Sequence, residues 1–171
     1  MGYVNDTAMS FFVLPSEFSF SAGTWTPTIA SDVFSMVRGA ADASFTAIVP
    51  VKIPANSVPL KGAKLKSINI YYAIGTAAAD DFATVDLNKQ ILGPDDTAIT
   101  GAAVAAITLD AGHDSAAKRK AQDDDHVMTI SLNSPAWVVA NHVYWVEMVV
   151  DCAAGTVFSF FGARVNYDLR V

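Results

Sequence analysis

The sequence lacks most of what catalytic, disulfide-stapled or nucleic-acid-binding chains are built around. Its one cysteine, Cys152, excludes an internal disulfide and any zinc site made of several thiolates. Glutamate is almost missing: Glu17 and Glu147 stand against fifteen aspartates. Aspartate favours turns and caps where glutamate favours helix interiors, so this bias reads as strands joined by turns. Charge of either sign is thin, at 16% of 171 residues, where an average soluble domain carries ~25%. No basic stripe runs along the chain; "KRK" at 118–120 is followed at once by "DDD" at 123–125, and the net charge is −6. Recognition of nucleic acid through its phosphates is therefore not expected. No stretch approaches the ~20 apolar residues that cross a bilayer, so no membrane is expected either. The opening "MGYVNDTAMSFFVLPSEF" has no basic n-region and an apolar run of only about five residues, so the expectation is synthesis in a cytoplasm without a signal peptide.

Apolar residues are present in quantity. They make up 52% of the chain, and the length suits one domain with a sizeable core. So few charges over such a domain leave much of its surface as Ala, Ser, Thr and aromatic carbon. Large apolar patches usually mark places where another chain sits. The chain is expected to have partners.

Alternation with period two recurs throughout, the mark of strands with one buried face. In "SINIYYAIG", Ile68, Ile70, Tyr72 and Ile74 share one side, with Ser67, Asn69, Tyr71 and Ala73 on the other. In "SFTAIVPVKIP" the set is Phe45, Ala47, Val49, Val51 and Ile53, with Pro50 opposite suggesting an edge or a bulge. "FATVDLNKQI" groups Ala83, Val85, Leu87 and Ile91; "HVMTISLNSP" groups Met128, Ile130 and Leu132. The strongest signal is "HVYWVEMVVDCAAGTVFSFFGARVNYDLRV", two long strands around Ala154-Gly155. A two-residue turn there predicts a hairpin pairing Asp151 with Phe158 and Trp145 with Arg164, with Phe161 and Val165 on one face and Phe158 and Phe160 on the other. Helical signal is confined to a turn or two within 115–122. The predicted fold is all-β: an antiparallel two-sheet β-sandwich, jelly-roll-like, of about eight strands. Residues 23–171 form its single domain. Residues 1–22, aromatic and without a clear period, are a first strand or an arm reaching a neighbouring subunit.

The candidate chemistry is sparse. "DAGHDSAAKRKAQDDDH", residues 110–126, holds two of the three histidines and eight charged side chains. Zinc would need His113, Asp114, Asp125 and His126 to converge, and calcium would need the D-x-D-x-D-G spacing that "DDDH" lacks. Neighbouring aspartates in an extended chain point apart, so the segment reads as a solvated loop and no metal is expected. Asp80-Asp81 and Asp95-Asp96 read as turns. Glu147 is a lone carboxylate in a strand, read as structural with Arg164 diagonally across the hairpin. Cys152 falls with the buried set and reads as an inert thiol. The sequence lacks G-x-S-x-G, H-E-x-x-H, a P-loop and G-x-G-x-x-G after a strand, and no enzymatic activity or cofactor is expected. Trp25, Trp137, Trp145, Tyr71, Tyr72, Phe158 and Phe160 are read first as core or subunit contact, and alternatively as a sugar-binding platform.

The segments "GTWTPTIASDVF", "SFTAIVPVKIPAN", "GAKLKSINIYYAIGTAAADDF" and "YWVEMVVDCAAGTVFSFFGARVNYDL" together resemble small jelly-roll proteins encoded among phage structural genes, of the capsid-decoration and head-fibre type. The resemblance implies a symmetric homo-oligomer, a trimer foremost, fixed to a major capsid protein or tail within a virion. The expected function is thus a non-enzymatic virion structural protein; the alternative is a carbohydrate-binding or receptor-binding module. Expected subunit contacts are Phe11, Phe12, Leu14, Phe18 and Phe20 of the N-terminal segment, with Trp145, Phe158 and Phe160.

Overall fold

The period-two runs become strands, but the long ones never pair with the next long strand in the chain. The computed structural model describes residues 5–54, 62–93, 99–104 and 106–170. Among these are β1 (Asp6–Val13), β2 (Ser19–Phe20), β3 (Trp25–Ala30), β4 (Val33–Arg38), β5 (Ala43–Val51), β6 (Gly62–Gly75), β7 (Asp81–Ile91), β8 (Thr100–Ala103), β9 (Ile107–Leu109), β10 (Asp123–Trp137), β11 (His142–Cys152) and β12 (Val157–Arg170), with one short helix, α1 (Ala116–Arg119). They form two antiparallel sheets. One runs β3-β4-β12-β6-β10-β9, with β1 also on β12, and the other runs β2-β5-β11-β7-β8. The fold is the expected jelly-roll-like β-sandwich. The strands beyond the expected eight are mostly short edge strands, too brief for a period to register.

Of the long strands, β5, β7 and β11 lie in the five-stranded sheet, and β6, β10 and β12 in the seven-stranded one. The chain therefore changes layer at each step, and the predicted hairpin between β11 and β12 does not form. Around Ala153–Thr156 the backbone instead arches from one sheet to the other. The Thr156 amide donates to the Ala153 carbonyl (3.0 Å) and its hydroxyl to the Ala78 carbonyl (2.9 Å). A hairpin and an interlayer arch both need a tight turn between two amphipathic strands, so period and turn residues do not separate them. Trp145 accordingly pairs with Pro50 and Asn88, not with Arg164.

The core fills the space between the layers with Ile68, Ile70, Tyr72 and Ile74 of β6, Phe45, Ala47 and Val49 of β5, Met128 and Ile130 of β10, Val146, Met148 and Val150 of β11, and Phe158 and Phe160 of β12. Bulges shift the predicted faces at two places. In β7 an irregularity between Asp81 and Thr84 buries Phe82 and exposes Ala83, which the strict period placed inside. In β12 the register against β6 passes from Phe160↔Tyr72 to Gly162↔Tyr71. Phe161 is the extra residue, so Val165 faces the core with Phe158 and Phe160 instead of opposing them.

Gly162 is what the second bulge depends on. Its φ is +130°, and a Cβ there would lie 2.7 Å from the Val13 carbonyl oxygen. At this point the flank of β12 passes from β4, paired through Phe160, to β1, paired from Ala163 onward. The N-terminal segment is woven into both layers. β1 lies on β12, a 3₁₀ turn follows at Pro15–Glu17, β2 lies on β5, and Val13 and Phe18 are core residues. Asp6 and Arg170 close the far end of the β1–β12 pair, Nη2 to Oδ2 at 2.7 Å. Replacing Gly162 with Ala meets both the left-handed backbone and the carbonyl contact. A loss of about 3 kcal/mol is expected in urea unfolding; an unchanged midpoint would show that the bulge relaxes freely.

Candidate functional site

Two bulges flank the same short piece of β6 and turn side chains outward from the seven-stranded sheet. On one side Phe161, extra in β12, leaves the core alternation for the outer face. On the other, β10 slips between Asp123↔Ile74 and His126↔Tyr72, so Asp124 and Asp125 together oppose the single residue Ala73. The Asp125 amide donates back to Asp123 Oδ1 (3.0 Å), which holds the bulged turn. Between them Tyr71 faces outward opposite Val127. With Ala30, Val33 and Ser35 from the β3–β4 hairpin, these residues line an open groove of about 450 Å³, within the ~300–1,000 Å³ usual for small-ligand sites. Its floor is apolar and aromatic, and one rim carries the exposed carboxylates of Asp124 and Asp125. Bulges commonly re-aim side chains at functional positions.

Beneath this rim the structure corrects the solvated-loop reading of 110–126. His113, Arg119 and His126 are buried. The Arg119 guanidinium donates to the carbonyls of Phe82 (2.8 Å), His113 (2.9 Å) and Ala83 (2.9 Å), tying the loop to β7. Burial pulls Arg119 below its usual range, with Tyr72, Asp81 and Asp114 opposing that shift. Tyr72 donates its hydroxyl to the Arg119 carbonyl (2.9 Å) and stacks on His126, centroids 4.4 Å apart and planes 7° from parallel. Burial pushes the Tyr72 hydroxyl well above its ordinary value. His113 Nδ1 lies 2.9 Å from Asp110 Oδ1, His113 Nε2 lies 3.1 Å from His126 Nδ1, and His126 Nε2 lies 3.0 Å from the Ala121 carbonyl. Burial acts to raise the Asp110 carboxyl, but the amides of Thr129 and Gly112 and the His113 ring together hold it below the usual carboxylate range.

The four side chains that a zinc ion would need, His113, Asp114, Asp125 and His126, do not converge. The two imidazoles bond to each other, Asp114 pairs with Lys118 (2.8 Å), and Asp125 is exposed at the groove. Among the described residues no group of three or more such side chains could hold a metal ion. Asp80 lies in a turn whose amide bonds the Asp151 carbonyl (2.8 Å); Asp95-Asp96 falls outside the described residues. Glu147 does not reach Arg164: it accepts from the Asn88 amide (2.9 Å) on the outer face of the five-stranded sheet. Cys152 is buried, and burial pushes its thiol up.

The residues expected at subunit contacts divide. Phe11, Phe12 and Leu14 are exposed, Phe12 at 62% and Leu14 at 56%. Trp145 and Phe20 are half-buried, Phe20 stacked on Trp25 with centroids 3.8 Å apart. Phe158 and Phe160 have no exposure and Phe18 almost none, so these three are core residues and offer nothing to a second subunit. An outward face for the two β12 phenylalanines requires the β11–β12 hairpin, which does not form. Of the groove residues, Tyr71 is among the aromatics that the sequence offers as a sugar-binding platform, and Phe161 is not. The phenylalanine pair followed at once by Gly162 is the local signal that could have marked the bulge.

No protein-family model matches the chain, and no curated protein does. Among solved structures it is similar to the carbohydrate-binding module TmCBM61 in complex with β-1,4-galactotriose, at 9% identity and a TM-score of 0.38, over 96% of this chain and 88% of that one. It is also similar to a low-affinity xylan-binding module of family CBM86 from the gut symbiont Roseburia intestinalis, at 8% identity and a TM-score of 0.34, over 94% of this chain and 96% of that one.

The Asp110 geometry has a pH consequence with a definite sign. A carboxyl depressed in the folded state contributes stability above its unfolded value, ~3.9, and that contribution fades as pH falls through the folded value. Asp110→Asn should therefore be less stable than the parent at neutral pH, with the gap closing below about pH 4. Thermal unfolding of both proteins across that range measures it; a gap constant down to acid would contradict the assignment.

Proposed function

We propose that the chain is a non-catalytic binding module whose outer groove takes a carbohydrate. The observation that carries this reading is the pair of bulges beside β6. They bring the aromatic side chain of Phe161 and the carboxylates of Asp124 and Asp125 to one groove around Tyr71. A sugar ring presents a C–H face and an equator of hydroxyls. The C–H face suits the electron-rich face of an aromatic ring, and the hydroxyls suit carboxylates as charge-assisted acceptors. Tyr71, Phe161, Val127 and Val33 supply the apolar bed, and Asp124, Asp125 and Ser35 supply polar groups at its margin. Binding rather than catalysis is supported by the engagement of the groove's one imidazole: His126 gives Nδ1 to His113 and Nε2 to the Ala121 carbonyl, leaving neither nitrogen for a substrate. Titration calorimetry against a panel of neutral oligosaccharides tests the reading. Tyr71→Ala and Phe161→Ala should each weaken binding at least about tenfold, equivalent to ~1.4 kcal/mol, and Asp125→Asn by less. Absence of binding across the panel, or affinity untouched by both aromatic substitutions, would sink it.

The second reading, a self-assembling virion subunit, is favoured by a separate observation. β1 is an edge strand that leaves Met9, Phe11 and Phe12 exposed, and Leu14 follows in the turn after it. Most of these lie on a strand already seated on β12, so they present a fixed apolar ledge to another copy. Removing the whole segment would also take Val13 and Phe18 from the core, so point changes are the proper probe. Under this reading the parent chain scatters light as an oligomer, a trimer foremost, and Phe12→Ser with Leu14→Ser lowers that mass at an unchanged circular dichroism spectrum. A parent that stays monomeric across a concentration series would remove self-association from consideration.

A further inference from the structure

Three hydrogen bonds run in series beneath the groove rim, from Asp110 to His113, from His113 to His126, and from His126 to the Ala121 carbonyl, at 2.9, 3.1 and 3.0 Å. Each needs one hydrogen. Both ends of the series are acceptors, because a carbonyl carries no proton and neither does an ionised carboxylate. The two imidazoles must then supply all three hydrogens, and two neutral imidazoles carry only one each. We infer that Asp110, His113 and His126 hold one dissociable proton in common, as a carboxylate paired with a single imidazolium shared by the two rings, and that this proton fixes the segment forming the acidic wall of the groove.

The surroundings favour that state. Asp110 keeps its charge because the amides of Thr129 (2.6 Å) and Gly112 (2.9 Å) also donate to it. Tyr72 of β6 lies face to face with His126, and a ring face attracts a cationic neighbour. Its hydroxyl is committed to the Arg119 carbonyl and cannot serve the imidazoles. On β10 the carboxylates of Asp123, Asp124 and Asp125 precede His126. On β7 Asp81 acts on Arg119, as does Asp114 of the loop. Against the imidazolium stands Arg119 of α1, bonded to the His113 carbonyl. Lys118 is paired with Asp114, and Lys120 reaches the Asp80 carbonyl, Nζ to O at 2.5 Å. When the proton leaves to solvent, two lone pairs face each other across one of the three links. Opening that link frees the backbone between Ala121 and His126, which carries Asp124 and Asp125. The inference rests on hydrogen bonding alone and holds whatever occupies the groove.

Imidazole ¹⁵N resonances of the full, uniformly labelled chain, followed from about pH 5 to about pH 9 around the ordinary histidine range, test it directly. His142, outside the relay, is the reference. The expected result is one proton released from His113 and His126 together, both rings moving in the same step, with the backbone amides of Asp124, Asp125 and His126 shifting alongside. In Asp110→Asn the new amide can donate the missing hydrogen to His113 Nδ1, so both rings should stay neutral and the step should vanish from those amides. Two rings that titrate one by one in the parent, or a step that survives unaltered in Asp110→Asn, would overturn the inference. The parent titration decides the first point even where the variant folds poorly.

Discussion

The contact on which the rest of the molecule depends is the seating of Tyr72. Its ring lies between Phe158, stacked at 5.5 Å and 8°, and His126, stacked at 4.4 Å and 7°, while its hydroxyl holds the Arg119 carbonyl. One side chain thus joins the aromatic core to the polar loop between β9 and β10. It is fully buried, and a phenol placed so deep is tolerated because its one donor is satisfied. The loop is held in turn by Arg119, whose cation has no carboxylate within bonding distance among the described residues and rests on three carbonyl oxygens. Such an arrangement is stable only while each guanidinium nitrogen keeps an acceptor, since a buried cation that loses its partners is costly. Removing one carbonyl partner would unsettle the loop and the β10 bulge that follows it.

Strand geometry carries this constraint to the outer surface. Side chains alternate along a strand, so fixing Tyr72 inward fixes Tyr71 outward. The strands on either side of β6 then each gain one residue, β12 at Phe161 and β10 at 124–125. A bulge forgoes ladder hydrogen bonds and increases local twist, and here each has its own support. Gly162 adopts a backbone angle that a side chain would resist, and Asp123 holds the β10 turn through the Asp125 amide. The groove is therefore built on packed sheet and not on a long loop, which favours preorganisation of its aromatic bed.

Much of the sandwich was legible in the sequence, because a strand with one buried face must alternate. Ile68, Ile70, Tyr72 and Ile74 were read as one face and are all fully buried. The partners of each strand were not legible. Every long strand pairs across a layer change with strands remote in sequence, and no local signal records that. An arch between β11 and β12 therefore looks like a hairpin in the sequence, and a hairpin would turn Phe158 and Phe160, which are core residues, to the surface. The loop at 110–126 shows what composition averages away. Eight charges in seventeen positions describe a wet segment in the mean, yet His113, Arg119 and His126 each find fixed acceptors that only the fold brings close. The groove was half visible, in Tyr71. Phe161 and the convergence of Asp124 and Asp125 depend on two bulges in different strands.

Electrostatics narrow what this groove would accept. With Asp110 ionised and one imidazolium beside it, the buried relay is neutral as a unit and adds little field at the surface. The exposed carboxylates of Asp124 and Asp125 then dominate locally, on a chain whose net charge is −6. Like charges on a ligand would be repelled within roughly a Debye length, about 8 Å at physiological salt. A uronic acid, sulfated sugar or phosphate group would thus meet opposition at the rim, whereas a neutral sugar could donate its hydroxyls to the same carboxylates. The apolar floor works in the same direction, since burying a charge against Val33, Val127 and Phe161 forfeits hydration that no lysine or arginine among the described lining residues replaces. On the proposed reading, the groove would therefore favour uncharged, hydroxyl-bearing ligands with an apolar face.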